Sequence, residues 1–225
     1  MGPWYYMPGD EVTITATPKY DFIEFVQWSD GNTENSRTIT VTSDVTYTAT
    51  FEVIPMVIAG IENGYDYVDL GLPSGLKWAT CNVEATKPEK YGGYYAWGGT
   101  KNRVTYMWIT YEWSVGSSST LFKYCTKSNY GTVDNKTVLE LADDAAAVIW
   151  GGAWRMPTDA EWTELRENCT WTWTNSYNGT AGQIVTSNIN GNFIFLPAAG
   201  FRRDDSTSSA CDYGYYWSSS LYTDY

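Results

Sequence analysis

The sequence contains no histidine at any of its 225 positions. That removes Ser-His-Asp triads, Cys-His dyads and every zinc site that needs an imidazole, leaving proton transfer to Asp, Glu, Lys or Tyr. Positive charge is scarce as well. Fourteen Lys and Arg stand against 26 Asp and Glu, a net charge of −12. The basic patches of a nucleic-acid binder are therefore missing, and an anionic membrane surface would repel the chain. Long apolar runs are absent, because the most apolar stretch, 53–59, is far too short to span a bilayer. No leader-peptide pattern is visible, so the leader of an exported chain would lie outside these residues. The four cysteines, Cys81, Cys125, Cys169 and Cys211, include no Cys-x-x-Cys pair, which excludes a zinc knuckle and a thioredoxin-type motif. Two disulfides or four buried thiols both fit that count. Thiols are the expectation, since a chain of this length does not need staples.

What the chain has in excess is aromatic side chains, with 12 Trp and 19 Tyr. A core of this size does not need so many, so a share of them is expected at surfaces or interfaces, where an apolar ring with a polar tip is useful. The remainder fit an aromatic-rich β core.

Residues 9–51 alternate with period two. Val12, Ile14 and Ala16 interleave with Thr13, Thr15 and Thr17, and Ile39 and Val41 interleave with Thr38, Thr40 and Thr42. Val45, Tyr47, Ala49 and Phe51 alternate again, so these last two segments are expected to form a hairpin with Thr on its wet face. The segment resembles the internalin B-repeat, or Listeria–Bacteroides repeat, of bacterial surface proteins. The resemblance lies in the Gly9–Pro18 phrase, in Phe25-Val26-Gln27-Trp28-Ser29-Asp30-Gly31, in Arg37–Thr42 and in Tyr47–Phe51. It implies a small all-β, β-grasp-like spacer module over 1–54, short of a first strand. Residues 55–64, punctuated by Pro55, Gly60 and Asn63-Gly64, are expected to link that module to a second domain.

From Tyr65 the pattern changes. A helix is expected over about 138–149, from an Ala-rich, Gly-free centre. A second is expected after Pro157, where Thr158-Asp159-Ala160-Glu161 has the form of a capping box and Trp162, Leu165 and Cys169 make one apolar stripe. Short strands are expected at 193–196 and 215–217.

Five phrases in this region resemble one family. They are Tyr67–Ala79, Tyr94–Gly98, Trp154-Arg155-Met156-Pro157-Thr158-Asp159-Ala160-Glu161-Trp162, Phe195–Gly200 and Tyr216-Trp217-Ser218-Ser219-Ser220. Together they look like the Fibrobacter succinogenes major paralogous domain of gut Bacteroidetes, which is similar in fold to the formylglycine-generating enzymes, a branch of the C-type lectin fold. The resemblance implies an α+β, C-type-lectin-like domain over 65–225, with a small twisted sheet, two helices and long loops, short of its last strands. It also implies kinship with diversified ligand-binding proteins. The Arg155–Trp162 phrase has a plainer account too, as a helix cap and a core Trp.

Each candidate site has an ordinary structural reading beside the functional one. The oxidase chemistry of the formylglycine-generating enzymes uses paired cysteines and copper, and only Cys211 lies near the chain end here. A carboxylate pair at Asp143 and Asp144 would not face one way, since neighbours on a helix point about 100° apart; a solvated helix face is expected for them. Asp30-Gly31-Asn32 and Arg203-Asp204-Asp205-Ser206 are oxygen-rich but lack EF-hand spacing, and read as polar turns. The cluster Tyr94, Tyr95, Trp97, Tyr106, Trp108, Tyr111 and Trp113 suits sugar stacking or loop packing. The tail 212–225 has the composition of an antibody paratope. Strand alternation there would turn Tyr215, Trp217 and Leu221 to the core and Tyr216, Ser218, Ser220 and Tyr222 to the other face; these four, with Tyr213, are the expected ligand-binding residues, and an aromatic edge strand is the alternative.

The sequence thus points to a secreted or cell-surface ligand-binding protein or adhesin of a gut-type bacterium, not an enzyme. No catalytic residue, metal or cofactor is expected. The partner would be a glycan or protein on a cell surface, with no nucleic acid and no membrane insertion, and pairing of strand edges would give an oligomer. A spacer or fibre subunit is the alternative, and a formylglycine-generating-type oxidase a distant one.

Overall fold

The computed structural model describes residues 5–20 and 22–223. The chain divides into two compact units, Met1–Pro55 and Met56–Tyr225. Of the paratope-like tail, Asp224 and Tyr225 lie outside the described residues.

The first unit holds strands β1 (Glu11–Thr15), β2 (Ile23–Trp28), β3 (Ser36–Thr40) and β4 (Ala49–Val53). β1 pairs antiparallel with β3, and β2 with β4, as two two-stranded sheets. In the β1–β3 register Val12 stands opposite Ile39 and Thr13 opposite Thr38, so alternation places the apolar residues on one face. The hairpin expected between the segments around Ile39 and Tyr47 does not form. Eight residues, 41–48, separate β3 from β4, more than a tight hairpin uses, and Val45 is exposed. Instead Phe51 of β4 meets Phe25 of β2, ring centroids 6.0 Å apart. Only Ala16, Phe22 and Trp28 are buried apolar residues among those described in this unit. The Trp28 indole donates to the Glu34 carbonyl at 2.8 Å, pulling the 29–35 turn back over the sheet. Asp30 in that turn accepts from Arg37 at 2.6 Å and from the Asn32 amide. The Arg37 pair holds its carboxyl below the ordinary value.

The second unit is mostly small antiparallel sheets. One joins β5 (Gly60–Glu62), β6 (Tyr65–Asp69) and β7 (Lys77–Ala79). Another joins β8 (Cys169–Tyr177), β9 (Thr180–Ser187) and β10 (Phe193–Pro197), with β9 central. A third pairs β11 (Phe201–Arg203) with β12 (Ser206–Ser208) around the expected Asp204-Asp205 turn. The stretch read as a linker therefore gives residues 60–62 to a sheet. The α-helices among the described residues are α1 (Ala145–Trp150) and α2 (Asp159–Asn168). Neither is long or apolar enough to cross a membrane.

α2 begins as its sequence requires. The Thr158 hydroxyl accepts from the Glu161 amide and the Glu161 carboxylate accepts from the Thr158 amide. α1 is much shorter than the expected 138–149. Asp144 takes the extended conformation of an N-cap and its carboxylate accepts from the amides of Ala146 and Ala147, so the helix cannot begin before it. The solvated face expected for Asp143 and Asp144 is wrong as well, since both are buried. Asp143 accepts from Lys123 and from the Tyr124 hydroxyl, each at 2.5 Å, while Asp144 also takes the Met156 amide at 2.7 Å.

Leu165 and Cys169, at the buried side and end of α2, pack with Val68, Leu70 and Leu72 of the β6 region, Val185 of β9 and Ile194 of β10. Glu164 on the same helix clamps the Leu72–Gly75 turn by accepting from the amide and the hydroxyl of Ser74 at 2.8 and 2.6 Å. All four cysteines are free thiols. Cys125 and Cys169 are buried, Cys81 is half-buried and Cys211 is exposed. Burial pushes the Cys169 thiol up to about 11.

Between β7 and α1 the chain runs from 80 to 144 with no strand, only two short 3-10 turns and isolated bridges. A segment of that length inside a packed body is unusual. Its backbone groups have few ladder partners and must be satisfied otherwise.

Candidate functional site

The aromatic side chains supply much of that satisfaction. Tyr111 Oη donates to the Trp97 carbonyl at 2.9 Å and Trp113 Nε1 to the Gly98 carbonyl at 2.8 Å. Tyr106 Oη donates to the Tyr94 carbonyl. Tyr94 Oη donates to the Ala199 carbonyl at 2.6 Å, Tyr216 Oη to Pro197 at 2.8 Å, Trp97 Nε1 to Ser218 at 2.8 Å and Trp217 Nε1 to Tyr95 at 2.9 Å. Trp162 on α2 donates to the Trp217 carbonyl at 3.1 Å. Each ring is thereby fixed at its polar end. Three phrases distant in sequence, 94–98, 195–200 and 216–220, are tied together at one place beside the start of α2.

That place is a cleft of about 340 Å³. Trp78 and Trp162, with ring centroids 5.0 Å apart, line it together with Tyr94, Tyr95, Tyr106, Tyr215, Tyr216 and Trp217. Its ionic groups include Arg155, Glu161 and Arg202. Arg155 and Glu161 satisfy each other through two hydrogen bonds, at 2.7 and 2.5 Å, and the Arg155 guanidinium is the first cause holding the Glu161 carboxyl down at about 2. Arg202 lies 6.0 Å from the centre of the Tyr94 ring. Burial raises the Tyr94, Tyr95 and Tyr216 phenols above their ordinary value, so they remain neutral donors at neutral pH.

A second cleft, of about 550 Å³, is lined by Trp97, Arg103, Trp108, Tyr111, Lys123 and Arg203 among others. Arg103 is paired with Glu112 and Lys123 with Asp143, both at 2.5 Å. From the aromatic cluster of 94–113, Tyr94, Trp97, Tyr106, Tyr111 and Trp113 serve loop packing through their bonds to main-chain carbonyls. Trp108 is 47% exposed.

The five tail residues separate into two groups. Tyr213 and Tyr222 are exposed, at 62% and 67%. Tyr216 points inward, its ring 6.1 Å from that of Trp162. Ser218 donates to the Ser220 carbonyl at 3.0 Å, and the Ser220 hydroxyl accepts the Asp159 amide at 3.2 Å, beside the N-terminus of α2. The expected faces are reversed at 215–217. Tyr215 and Trp217 are 60% and 53% exposed, not buried in the core. The cause is that 209–223 is not a strand. It makes isolated bridges, Gly200 with Gly214 and Val138 with Ser220, and Ser209 and Cys211 take positive φ, so period-two alternation has no ladder to fix it. Gly214 was the available signal. Gly200, opposite it, has φ +67°, and a Cβ there would lie 2.1 Å from the Ser208 carbonyl oxygen, so only glycine allows this crossing. Sequence reasoning also passed over Arg202, which gives no motif of its own.

Residues 2–55 match the model of the divergent InlB B-repeat domain family, which supports the repeat module read from the first unit. No curated protein and no solved structure matches the chain.

Proposed function

We propose that this chain is a secreted or cell-surface ligand-binding protein of a gut-type bacterium, in which a bacterial surface repeat precedes a C-type-lectin-like binding body related to diversified ligand-binding proteins. One observation carries this reading. The rings of Tyr94, Tyr216 and Trp217 are anchored at their polar ends to main-chain carbonyls while lining one cleft. Trp217 and its neighbour Tyr215 nonetheless remain more than half exposed. Rigid aromatic faces held open beside a concave site are what a binding surface needs, because little side-chain entropy is lost when a ligand stacks on them. The reading is of binding and not catalysis, since the chain has no histidine and its Arg155 and Glu161 are spent on each other.

The test is to probe a glycan array and a host or bacterial surface extract with the full chain and with Trp217→Ala. Retention of a defined ligand by the full chain, weakened at least tenfold by Trp217→Ala, supports the reading. Failure to retain any ligand turns it to the spacer role, which the repeat match favours.

A further inference from the structure

The cleft contains one ionic group whose partner is missing. Arg37, Arg103, Arg155 and Arg203 each have a carboxylate within 4.0 Å, and Arg166, outside the cleft, bonds the Thr163 hydroxyl. Arg202 makes no ion pair among the described residues, although the chain carries 26 acidic residues against 14 basic ones. It is half-buried. Its terminal nitrogens reach only main-chain oxygens, Asp205 at 3.2 Å and Arg103 at 3.5 Å. Its Nε is buried and has no hydrogen-bond partner among the described residues. The neighbouring acidic residues, Asp204 and Asp205, offer it only that main-chain oxygen of Asp205. A guanidinium has five donors in a flat fork, and removing such a group from water without an anion is costly.

Resting on the ligand-binding reading, we propose that the cleft takes a carboxylate-bearing saccharide, with the acid on Arg202 and the sugar ring against the exposed faces of Trp217 and Tyr215. The fork geometry favours a planar carboxylate bound through two parallel hydrogen bonds. The aromatic lining favours a ring with an apolar C–H face over a flexible acidic peptide, because rings and indoles offer flat contact with few polar partners left to satisfy. The negative charge of the rest of the chain keeps non-specific anions away, so selection falls to this one site.

The experiment measures binding of the full chain to matched glycans that differ only in one acidic sugar, a uronic or sialic acid against its neutral counterpart. Free glucuronate, glucose and a short Glu-rich peptide serve as competitors. The expected result is a preference for the acidic member, competition by glucuronate and not by glucose, and a loss of about 10- to 100-fold on Arg202→Gln. Equal binding of both members, unchanged by Arg202→Gln, overturns the acidic-sugar assignment and leaves the ligand-binding reading standing. Competition by the peptide in preference to glucuronate also overturns it. Absence of binding to any glycan overturns it, and the surface extract then decides the broader reading. If Arg202→Gln does not fold, the competition series on the unaltered chain decides alone.

Discussion

The two units solve the same problem, satisfying a chain rich in polar backbone, by different means. In the first, the ladders of β1–β3 and β2–β4 do most of the work, and the exposed face carries paired hydroxyls, Thr13 with Thr38 at 3.0 Å and Thr15 with Ser36 at 2.8 Å. In the second, a 65-residue passage, 80–144, has no strand at all, and Trp and Tyr tips stand in for ladder partners at the Tyr95, Trp97 and Gly98 carbonyls. The comparison teaches that an excess of Trp and Tyr need not signal an interface. In this chain much of it is spent holding irregular backbone in place, and the candidate surface consists of the few rings whose faces remain exposed.

The sharpest way to break the comparison is to damage one unit's core. Phe195 is 2% exposed and stacks on Tyr177 at 4.4 Å. Phe195→Ala is expected to cost the second unit about 3–5 kcal/mol. Calorimetry or denaturant melts should show the transition of the first unit unmoved. A shift of both transitions by the same amount would mean that the two units fold as one cooperative body.

The next effect isolates the aromatic tethers. Tyr216→Phe keeps the ring but removes the hydroxyl that donates to the Pro197 carbonyl at 2.8 Å, leaving that oxygen with the Ala199 amide. Losing one hydrogen bond where water does not replace it costs about 0.5–1.5 kcal/mol. A melt of Tyr216→Phe superimposable on the parent would show that the tether contributes nothing to stability.

How much of this was legible in the sequence divides along the same line. Alternation of Val12, Ile14 and Ile39 against threonines marks β1 and β3, because strand periodicity is local. The capping box at Thr158 and Glu161 is equally local. Which strands would pair was not, and the expected hairpin failed because Phe25 found Phe51 across 26 positions of sequence. In the tail, the rings were read by alternation although no ladder is present. Exposure there is set by distant carbonyls at Tyr95 and Pro197, and nothing within the phrase 212–223 names them. Arg202 stands out only by comparison with Arg155, which shares its cleft and has a carboxylate partner.

A smaller effect should appear with pH. The Glu161 carboxyl is held at about 2 against an ordinary 4.5, first by the Arg155 hydrogen bonds and then by the Thr158 amide, against a desolvation that raises it. A carboxyl depressed by folding contributes stability that is fully present above about pH 4.5 and fades as the pH falls towards 2. Glu161→Gln should therefore lower the melting temperature at pH 7 and flatten its decline between those two values, while leaving the transition of the first unit alone. An unchanged acid limb in the variant would mean that other carboxylates govern it.

The smallest effect is expected where the comparison predicts almost none. Thr13 and Thr38 face each other on the exposed side of the β1–β3 pair, and their hydroxyls hydrogen-bond at 3.0 Å. Both are exposed, so each hydroxyl would find water if the other were removed, and no group is left stranded. Thr13→Val keeps the β-branched shape that suits a strand. It should change the stability of the first unit by no more than about 0.5 kcal/mol, in contrast to the loss of one tyrosine hydroxyl in the second. The two substitutions each delete a single oxygen. If they cost the same in matched melts, the distinction between a ladder-built unit and a side-chain-tethered one fails, because the cost would then belong to the hydrogen bond itself and not to whether its partner is left without water.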